Sequence, residues 1–207
     1  MTTTTIPVAS VPPPVEREPG IAIIDDRRGT LGMWLTIATE GALFVCLFFS
    51  YFYLAKGNWR WTTEAPPKLT LAVINLAILV VSAGVLWWGD RIVTLGRHST
   101  ARMVLAITIL LGLASLLLDA FDTMQHLQTL KPTSNAYGSI FYTITMFHAA
   151  HEVVGVLLLL FALMLPELEP ASRPPHRPFH NVALYWYFVV VIWIFVIAFL
   201  YAAPNVR

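Results

Sequence analysis

Long apolar runs alternate with short polar connections along most of the chain. Five of these runs cover residues 31–54, 69–88, 103–122, 137–165 and 182–203. A helix of roughly 20 apolar residues crosses the hydrocarbon core of a bilayer, which is about 30 Å thick. Each run reaches about that length. The pattern therefore predicts an all-α integral membrane bundle of five transmembrane helices.

The connections between the runs are too short to hold a soluble domain, so we expect residues 31–207 to form one transmembrane domain. Residues 1–30 are rich in Thr and Pro and carry mixed charges. They lack the basic, apolar and small-residue order of a cleavable signal. We expect this segment to be a disordered cytoplasmic tail.

Lys and Arg are unevenly divided between the two sides of the predicted bundle. The N-terminal side carries eight, namely Arg17, Arg27, Arg28, Arg91, Arg97, Arg102, Arg173 and Arg177. The opposite side carries five, namely Lys56, Arg60, Lys68, Lys131 and Arg207. Because positively charged loops remain in the cytoplasm, we expect a cytoplasmic N-terminus and a periplasmic C-terminus in a bacterial inner membrane.

Composition supports the membrane assignment and excludes several other classes. Hydrophobic residues make up 57% of the chain and charged residues 12%. The formal net charge of +1 gives no electrostatic support for nucleic acid binding. The single cysteine, Cys46, excludes an intrachain disulfide and a metal site made of several thiolates.

The third run carries a polar seam, a set of small and polar residues spaced at steps of four and three. The seam consists of Thr108, Gly112, Ser115, Asp119, Asp122 and His126. This spacing places all of them on one face of a helix. One interpretation is a helix–helix interface built from small and hydrogen-bonding residues. The other is a path for protons or ions, against which stands the clustering of the carboxylates at one end.

The fourth run also has a polar face, formed by Thr145, His148, His151, Glu152 and Gly155. Two histidines beside a carboxylate could ligate a metal. A di-iron site would need a second carboxylate-x-x-His pair, and a haem would need a facing intramembrane histidine. The other runs offer neither, so we expect buried, hydrogen-bonded histidines, with no metal, cofactor or catalytic residue in this chain.

Glu40 in the first run needs a polar partner, because an ionisable group inside a bilayer is costly when unpaired. It lies roughly 14 Å from the cytoplasmic start of its helix, and His148 lies roughly 16 Å from the opposite face. These depths nearly coincide. We hypothesise that Glu40 meets His148 or His151 as a buried polar pair that, with Glu152, handles protons. The alternative is a protonated Glu40 bonded to a backbone carbonyl.

Four stretches carry motifs that occur together in one family of membrane proteins. A glutamate-bearing helix with an aromatic-rich end covers residues 31–53, and Asp-Ala-Phe-Asp follows at 119–122. Residues 135–142 and 147–151 read Asn-Ala-Tyr-Gly-Ser-Ile-Phe-Tyr and Phe-His-Ala-Ala-His. Residues 185–193 read Tyr-Trp-Tyr-Phe-Val-Val-Val-Ile-Trp. In this order, the motifs resemble subunit III of the haem–copper oxidases in its short five-helix bacterial form.

The chain departs from the family pattern at five positions. In the last helix, Tyr187 replaces the usual His and Val190 the usual Asp. Asp122 is shorter than the usual Glu, Ala149 replaces a Gly, and Glu152 is an added carboxylate. These departures indicate a divergent branch and remove any contact that depended on the lost His and Asp.

The resemblance implies a non-catalytic accessory subunit of an aerobic respiratory oxidase that couples oxygen reduction to proton translocation. Haem and copper are then expected in the partner subunits. The implied partners are oxidase subunit I as the main contact, the other oxidase subunits, membrane phospholipid and a larger respiratory supercomplex. The subunit is expected to stabilise subunit I, bind lipid and support proton uptake.

Aromatic side chains are candidates for packing against lipid or neighbouring subunits, or simply for facing the membrane. They are Trp34, Tyr51, Tyr53, Trp186, Tyr187 and Trp193.

Two other functions remain open at this point. One is a subunit III homologue that serves nitric oxide reductase, favoured by the lost His and Asp. The other is an independent proton-conducting channel, favoured by the intramembrane carboxylates and histidines.

Overall fold

The computed structural model describes residues 19–57, 67–93, 98–133, 135–164 and 176–202. They form five α-helices in chain order. The helices are α1 (Pro19–Gly57), α2 (Leu69–Val93), α3 (His98–Thr129), α4 (Ala136–Met164) and α5 (His176–Val196). A π-helical turn over Ile197–Ala202 continues α5.

All five helices are long and apolar enough to cross a membrane. The spans are Arg28–Lys56, Leu69–Val93, Ser99–Thr129, Ala136–Met164 and Phe179–Ala202. No β-strand occurs in the part of the chain that the structure describes. The predicted all-α class and the five transmembrane helices are therefore confirmed. Helices satisfy every internal backbone hydrogen bond within the segment, as a hydrocarbon environment requires.

Helix boundaries extend beyond several of the predicted spans. Helix α1 begins at Pro19, so the expectation of a disordered tail is wrong for residues 19–30. Helix α3 continues to Thr129 rather than ending near residue 122. An apolar run marks only the part of a helix inside hydrocarbon, whereas backbone hydrogen bonding continues into the polar flanks. The predicted tail up to residue 18, residue 165 and the C-terminal residues from 203 lie outside the described residues.

The five helices differ strongly in how much of their surface is covered by the rest of the chain. More than half of the central part of α5 is buried, and α5 packs against α1, α2 and α4. The most extensive helix pair is α2 with α3. Helix α1 lies at the edge against α4 and α5, and few of its side chains are buried. The core therefore consists of α2 to α5, with α1 attached to one side.

Trp186 of α5 occupies the centre of this core, and two glycines make room for it. A Cβ atom at Gly112 of α3 would lie 2.7 Å from Trp186 Cη2. A Cβ atom at Gly155 of α4 would lie 2.8 Å from Trp186 Cε3. The indole N–H donates to Ser82 Oγ of α2 at 2.9 Å. One side chain thus contacts three other helices, with its polar group satisfied.

Candidate functional site

The most complete polar contact between distant helices joins α1 to α4. His151 Nε2 lies 2.9 Å from Glu40 Oε2. His151 Nδ1 lies 2.6 Å from the Phe147 carbonyl oxygen, which can only accept, so Nδ1 carries a proton. A hydrogen bond thus joins Nε2 to the Glu40 carboxyl group, so each of the two polar groups compensates the burial of the other.

The hypothesised contact between Glu40 and a histidine of the fourth helix is therefore present, and His151 is the partner. The Glu40 side chain is 35% exposed, however, and His151 is 11% exposed. Glu40 lies at the edge of the bundle rather than in its core. Phe44 and Phe188 enclose the imidazole, with ring centroids 4.9 and 6.4 Å from that of His151.

A groove of about 440 Å³ runs along this edge, between α1 and α4. Glu40 and His151 form part of its wall, and Tyr185 of α5 also lines it. The other lining residues are mostly apolar, namely Met33, Thr36, Leu43, Phe147, Ala150, Val154 and Leu158. The wall of the groove is therefore mostly apolar, with the Glu40–His151 pair as its ionisable part.

His148 and Glu152 lie on the core side of the same helix and have no part in the α1 contact. Both side chains are completely buried. The His148 ring stacks on Trp193, with centroids 4.6 Å apart and an interplanar angle of 24°. Neither ring nitrogen of His148 and neither carboxyl oxygen of Glu152 has a hydrogen-bond partner among the described residues. The predicted polar face of α4 therefore divides into an edge part and a core part.

The polar seam of α3 faces the interior of the bundle. All of its polar side chains are buried: Thr108, Ser115, Asp119, Asp122 and His126. Ser115 donates to Asn75 Oδ1 of α2 at 2.6 Å, and Thr108 donates to the Val104 carbonyl at 2.9 Å. This placement agrees with a helix–helix interface. The interpretation as a proton path stays a prediction.

One end of the seam is closely tied to α5 and to the start of α2. Tyr201, in the π-helical turn, donates to Asp122 Oδ2 at 3.1 Å. His126 Nδ1 donates to the Asp122 carbonyl oxygen at 2.8 Å, and His126 Nε2 accepts from the Lys68 backbone N–H at 3.2 Å. His126 is therefore the neutral tautomer with its proton on Nδ1. Tyr137 donates to the Leu200 carbonyl within the same turn at 2.6 Å.

The aromatic residues predicted to pack against lipid or other subunits fall into two groups. Trp34 and Tyr53 are exposed, and Tyr187 is partly buried. The prediction is wrong for Tyr51, Trp186 and Trp193, because all three are buried within the chain. Trp193, for example, donates its indole N–H to the Ala72 carbonyl at 3.3 Å. Aromatic residues in a membrane helix look alike in sequence whether they face lipid or a neighbouring helix.

Two buried polar residues of α2, Asn75 and Ser82, were not identified from the sequence. Both contact the core, through Ser115 and Trp186 respectively. Their spacing of seven residues, or two helical turns, was the available signal, since it places them on one face of an apolar helix. The contact between His180 Nδ1 and Asp90 Oδ2, at 3.0 Å, was also not predicted from the sequence.

The two replaced positions of the last helix have different surroundings. Val190 is buried among apolar residues, so an apolar side chain fits where the family has an Asp. The Tyr187 hydroxyl finds no hydrogen-bond partner within the described ranges. Across those ranges, no group of three or more His, Cys, Asp or Glu side chains is arranged to hold a metal ion.

The five spans make this chain a multi-pass membrane protein. Its polar seam lies inside the bundle, and its groove lies at the surface between α1 and α4. The family model of cytochrome c oxidase subunit III matches residues 25–204. The chain therefore belongs to the cytochrome c oxidase subunit III family.

Individual relatives lead to the same family. The chain is 29% identical to cytochrome c oxidase subunit 3 of Rhipicephalus sanguineus over 179 residues, which cover 83% of this chain and 69% of the relative. The corresponding protein of Gallus gallus is 30% identical over 178 residues, covering 82% and 67%. That of Anopheles gambiae is 29% identical over 178 residues, with the same coverage. The chain is thus a non-catalytic subunit III of a respiratory oxidase, and it associates with other oxidase subunits.

Proposed function

We propose that this subunit binds a phospholipid acyl chain in the α1–α4 groove and so stabilises catalytic subunit I and supports its proton uptake. The observation that carries the proposal is the groove itself, whose wall is apolar except for the pair of Glu40 and His151 and the hydroxyl-bearing Thr36 and Tyr185. A chain held there joins α1, which has few contacts of its own, to the core of the bundle.

The outer face of α1 is the proposed surface for subunit I. It exposes large apolar side chains along its length, including Trp34, Phe49 and Tyr53. A contiguous apolar face on a helix of small buried area suits either lipid or a neighbouring helix. Haem and copper belong to the partner subunits in this account, and the remaining oxidase subunits and a respiratory supercomplex are further partners.

Filling the groove tests the lipid proposal. Val154 lines the groove, and its neighbour Val153 is equally exposed but lies outside it. We expect Val154→Phe to reduce the phospholipid that copurifies with the complex, whereas Val153→Phe leaves it unchanged. Mass spectrometry of the intact complex in mild detergent measures this. Equal lipid content in both variants would show that the groove does not bind phospholipid.

Purification from native membranes tests the assembly. We expect a tagged chain to copurify with a subunit that bears haem and copper and reduces oxygen. Copurification with a nitric oxide reductase would instead assign the chain to that complex. Proton flux through the isolated chain in liposomes, abolished by Glu40→Gln, would favour a channel.

We also propose that the protein lies in a bacterial inner membrane with its N-terminus in the cytoplasm. The support is the excess of Lys and Arg on the N-terminal side of the bundle. An odd number of spans then places the C-terminus in the periplasm. Terminal reporter fusions test this, and we expect a periplasmic reporter to be active only at the C-terminus.

A further inference from the structure

The core of the bundle contains a second polar cluster, formed by Glu152 and His148 of α4, Ser115 and Asp119 of α3, and Asn75 of α2. The Ser115 hydroxyl and the Asp119 carboxyl lie near the Glu152 carboxyl. Ser115 donates its proton to Asn75 Oδ1 at 2.6 Å, so it does not also donate that proton to Glu152. His148 lies one turn from Glu152 on the same helix, so their side chains share a face. The cluster therefore joins three helices.

Several polar atoms of this core cluster lack a hydrogen-bond partner among the described residues. They are both Glu152 oxygens, both His148 ring nitrogens and Asn75 Nδ2. Each of these side chains is at least 99% buried. An unsatisfied buried polar group costs about 1–3 kcal/mol, so five such atoms in one cluster call for an explanation. Something of polar chemistry must satisfy them.

Water has the required chemistry. A buried water molecule makes roughly three hydrogen bonds to otherwise unsatisfied polar groups, and it needs two to four polar partners. Here Asn75 Nδ2 offers a donor and Glu152 offers two oxygens. No Lys or Arg lies in this cluster. A carboxylate buried without a cation is costly, whereas a carboxylic acid can donate its proton to water.

We propose that this core cluster is an internal water-binding site in which Glu152 holds an exchangeable proton. The proton moves from the Glu152 carboxylic acid to a bound water molecule, and a proton from water returns to the same oxygen. No net charge is created over the cycle. This inference goes beyond the proposed lipid function and does not depend on it, since the groove lies on the other side of α4.

The polar seam gives this site a connection to the aqueous phase. Asp119, Asp122 and His126 continue the buried polar face of α3 beyond Ser115 for about 16 Å, at 1.5 Å per residue. His126 Nε2 accepts from the backbone of Lys68, which is exposed at the start of α2. The seam therefore runs from the core cluster to one end of the bundle, and Glu152 exchanges its proton along it.

Infrared difference spectroscopy of the purified oxidase complex tests the proposal. Subtracting the spectrum of the Glu152→Gln complex from that of the wild type isolates the Glu152 carboxyl group from all others. We expect the C=O stretch of a carboxylic acid, shifted to lower frequency after transfer into D2O. The Asp90→Asn difference spectrum is the control for a solvent-accessible carboxyl group, because Asp90 lies at the end of α2 beside an exposed His180.

Two results of this experiment would overturn the proposal. A carboxylate band in place of the carboxylic acid band shows that Glu152 holds no proton. A carboxylic acid band that stays at its frequency in D2O shows that the proton does not exchange.

A second measurement on the wild-type complex covers the case in which Glu152→Gln fails to assemble. A cryo-EM map at a resolution that shows water is expected to contain density within hydrogen-bond distance of Glu152 and Asn75 Nδ2. Direct side-chain contacts that satisfy these atoms without water would contradict the proposal.

Discussion

The two histidines of α4 lie three residues apart, yet their surroundings differ completely. His151 faces the edge, where it pairs with Glu40 beside an apolar groove. His148 faces the core, stacked on Trp193, with both nitrogens lacking a partner in the described part of the chain. The edge is open to ligands and neighbouring subunits, whereas the core is tightly packed. We therefore expect substitutions at the edge to affect lipid and subunit contacts, and substitutions in the core to affect the stability of the bundle.

Removing a large side chain should give the largest difference in the free energy of unfolding between a core variant and an edge variant. Trp186→Ala leaves a cavity among the helices and removes the hydrogen bond that Ser82 Oγ accepts, so we expect a loss of about 3–5 kcal/mol in the free energy of unfolding. Trp34→Ala, at the exposed edge, should change it by about 0.5 kcal/mol or less. Unfolding by titration with SDS in mixed micelles measures both. Equal losses would contradict the division into core and edge.

Adding one methyl group gives a finer version of the same comparison. Gly155→Ala places a Cβ 2.8 Å from Trp186 Cε3, so we expect a cost of about 1–3 kcal/mol from overpacking. At Gly41, next to Glu40, the new Cβ would lie 3.8 Å from Phe188 Cε2, an ordinary contact. Gly41→Ala should therefore leave the SDS midpoint nearly unchanged. A destabilised Gly41→Ala variant with an unaffected Gly155→Ala variant would reverse the assignment.

The identity of the Glu40 partner can be measured by double-mutant cycles. Glu40→Gln with His151→Leu should show a coupling free energy of about 0.5–3 kcal/mol, since the two groups are in direct contact. Glu40→Gln with His148→Leu should be additive within about 0.5 kcal/mol, because His148 stacks on Trp193 in the core, whereas Glu40 bonds to His151 at the edge. Strong coupling of Glu40 to His148 alone would show that the pair is wrongly assigned.

The sequence was sufficient for the number of helices and for the approximate depth of the polar residues. Depth follows from counting residues along a helix, which is why Glu40 could be matched to residues 148 and 151. Choosing between the two histidines requires the rotation of α4 against α1, and that is set by packing. Trp186 is buried because Gly112 of α3 and Gly155 of α4 lie opposite it. Such a contact between helices cannot be predicted from the residue pattern of one helix.

We propose that this subunit supports the oxidase without taking part in its redox chemistry, through the groove beside Glu40 and His151. The most direct test follows oxygen consumption and the haem absorption spectrum of the purified complex carrying Glu40→Gln. We expect a normal haem spectrum and initial rate, followed by faster loss of activity during turnover than in the wild type. A lost haem signal at normal complex yield, or an abolished initial rate, would contradict the account.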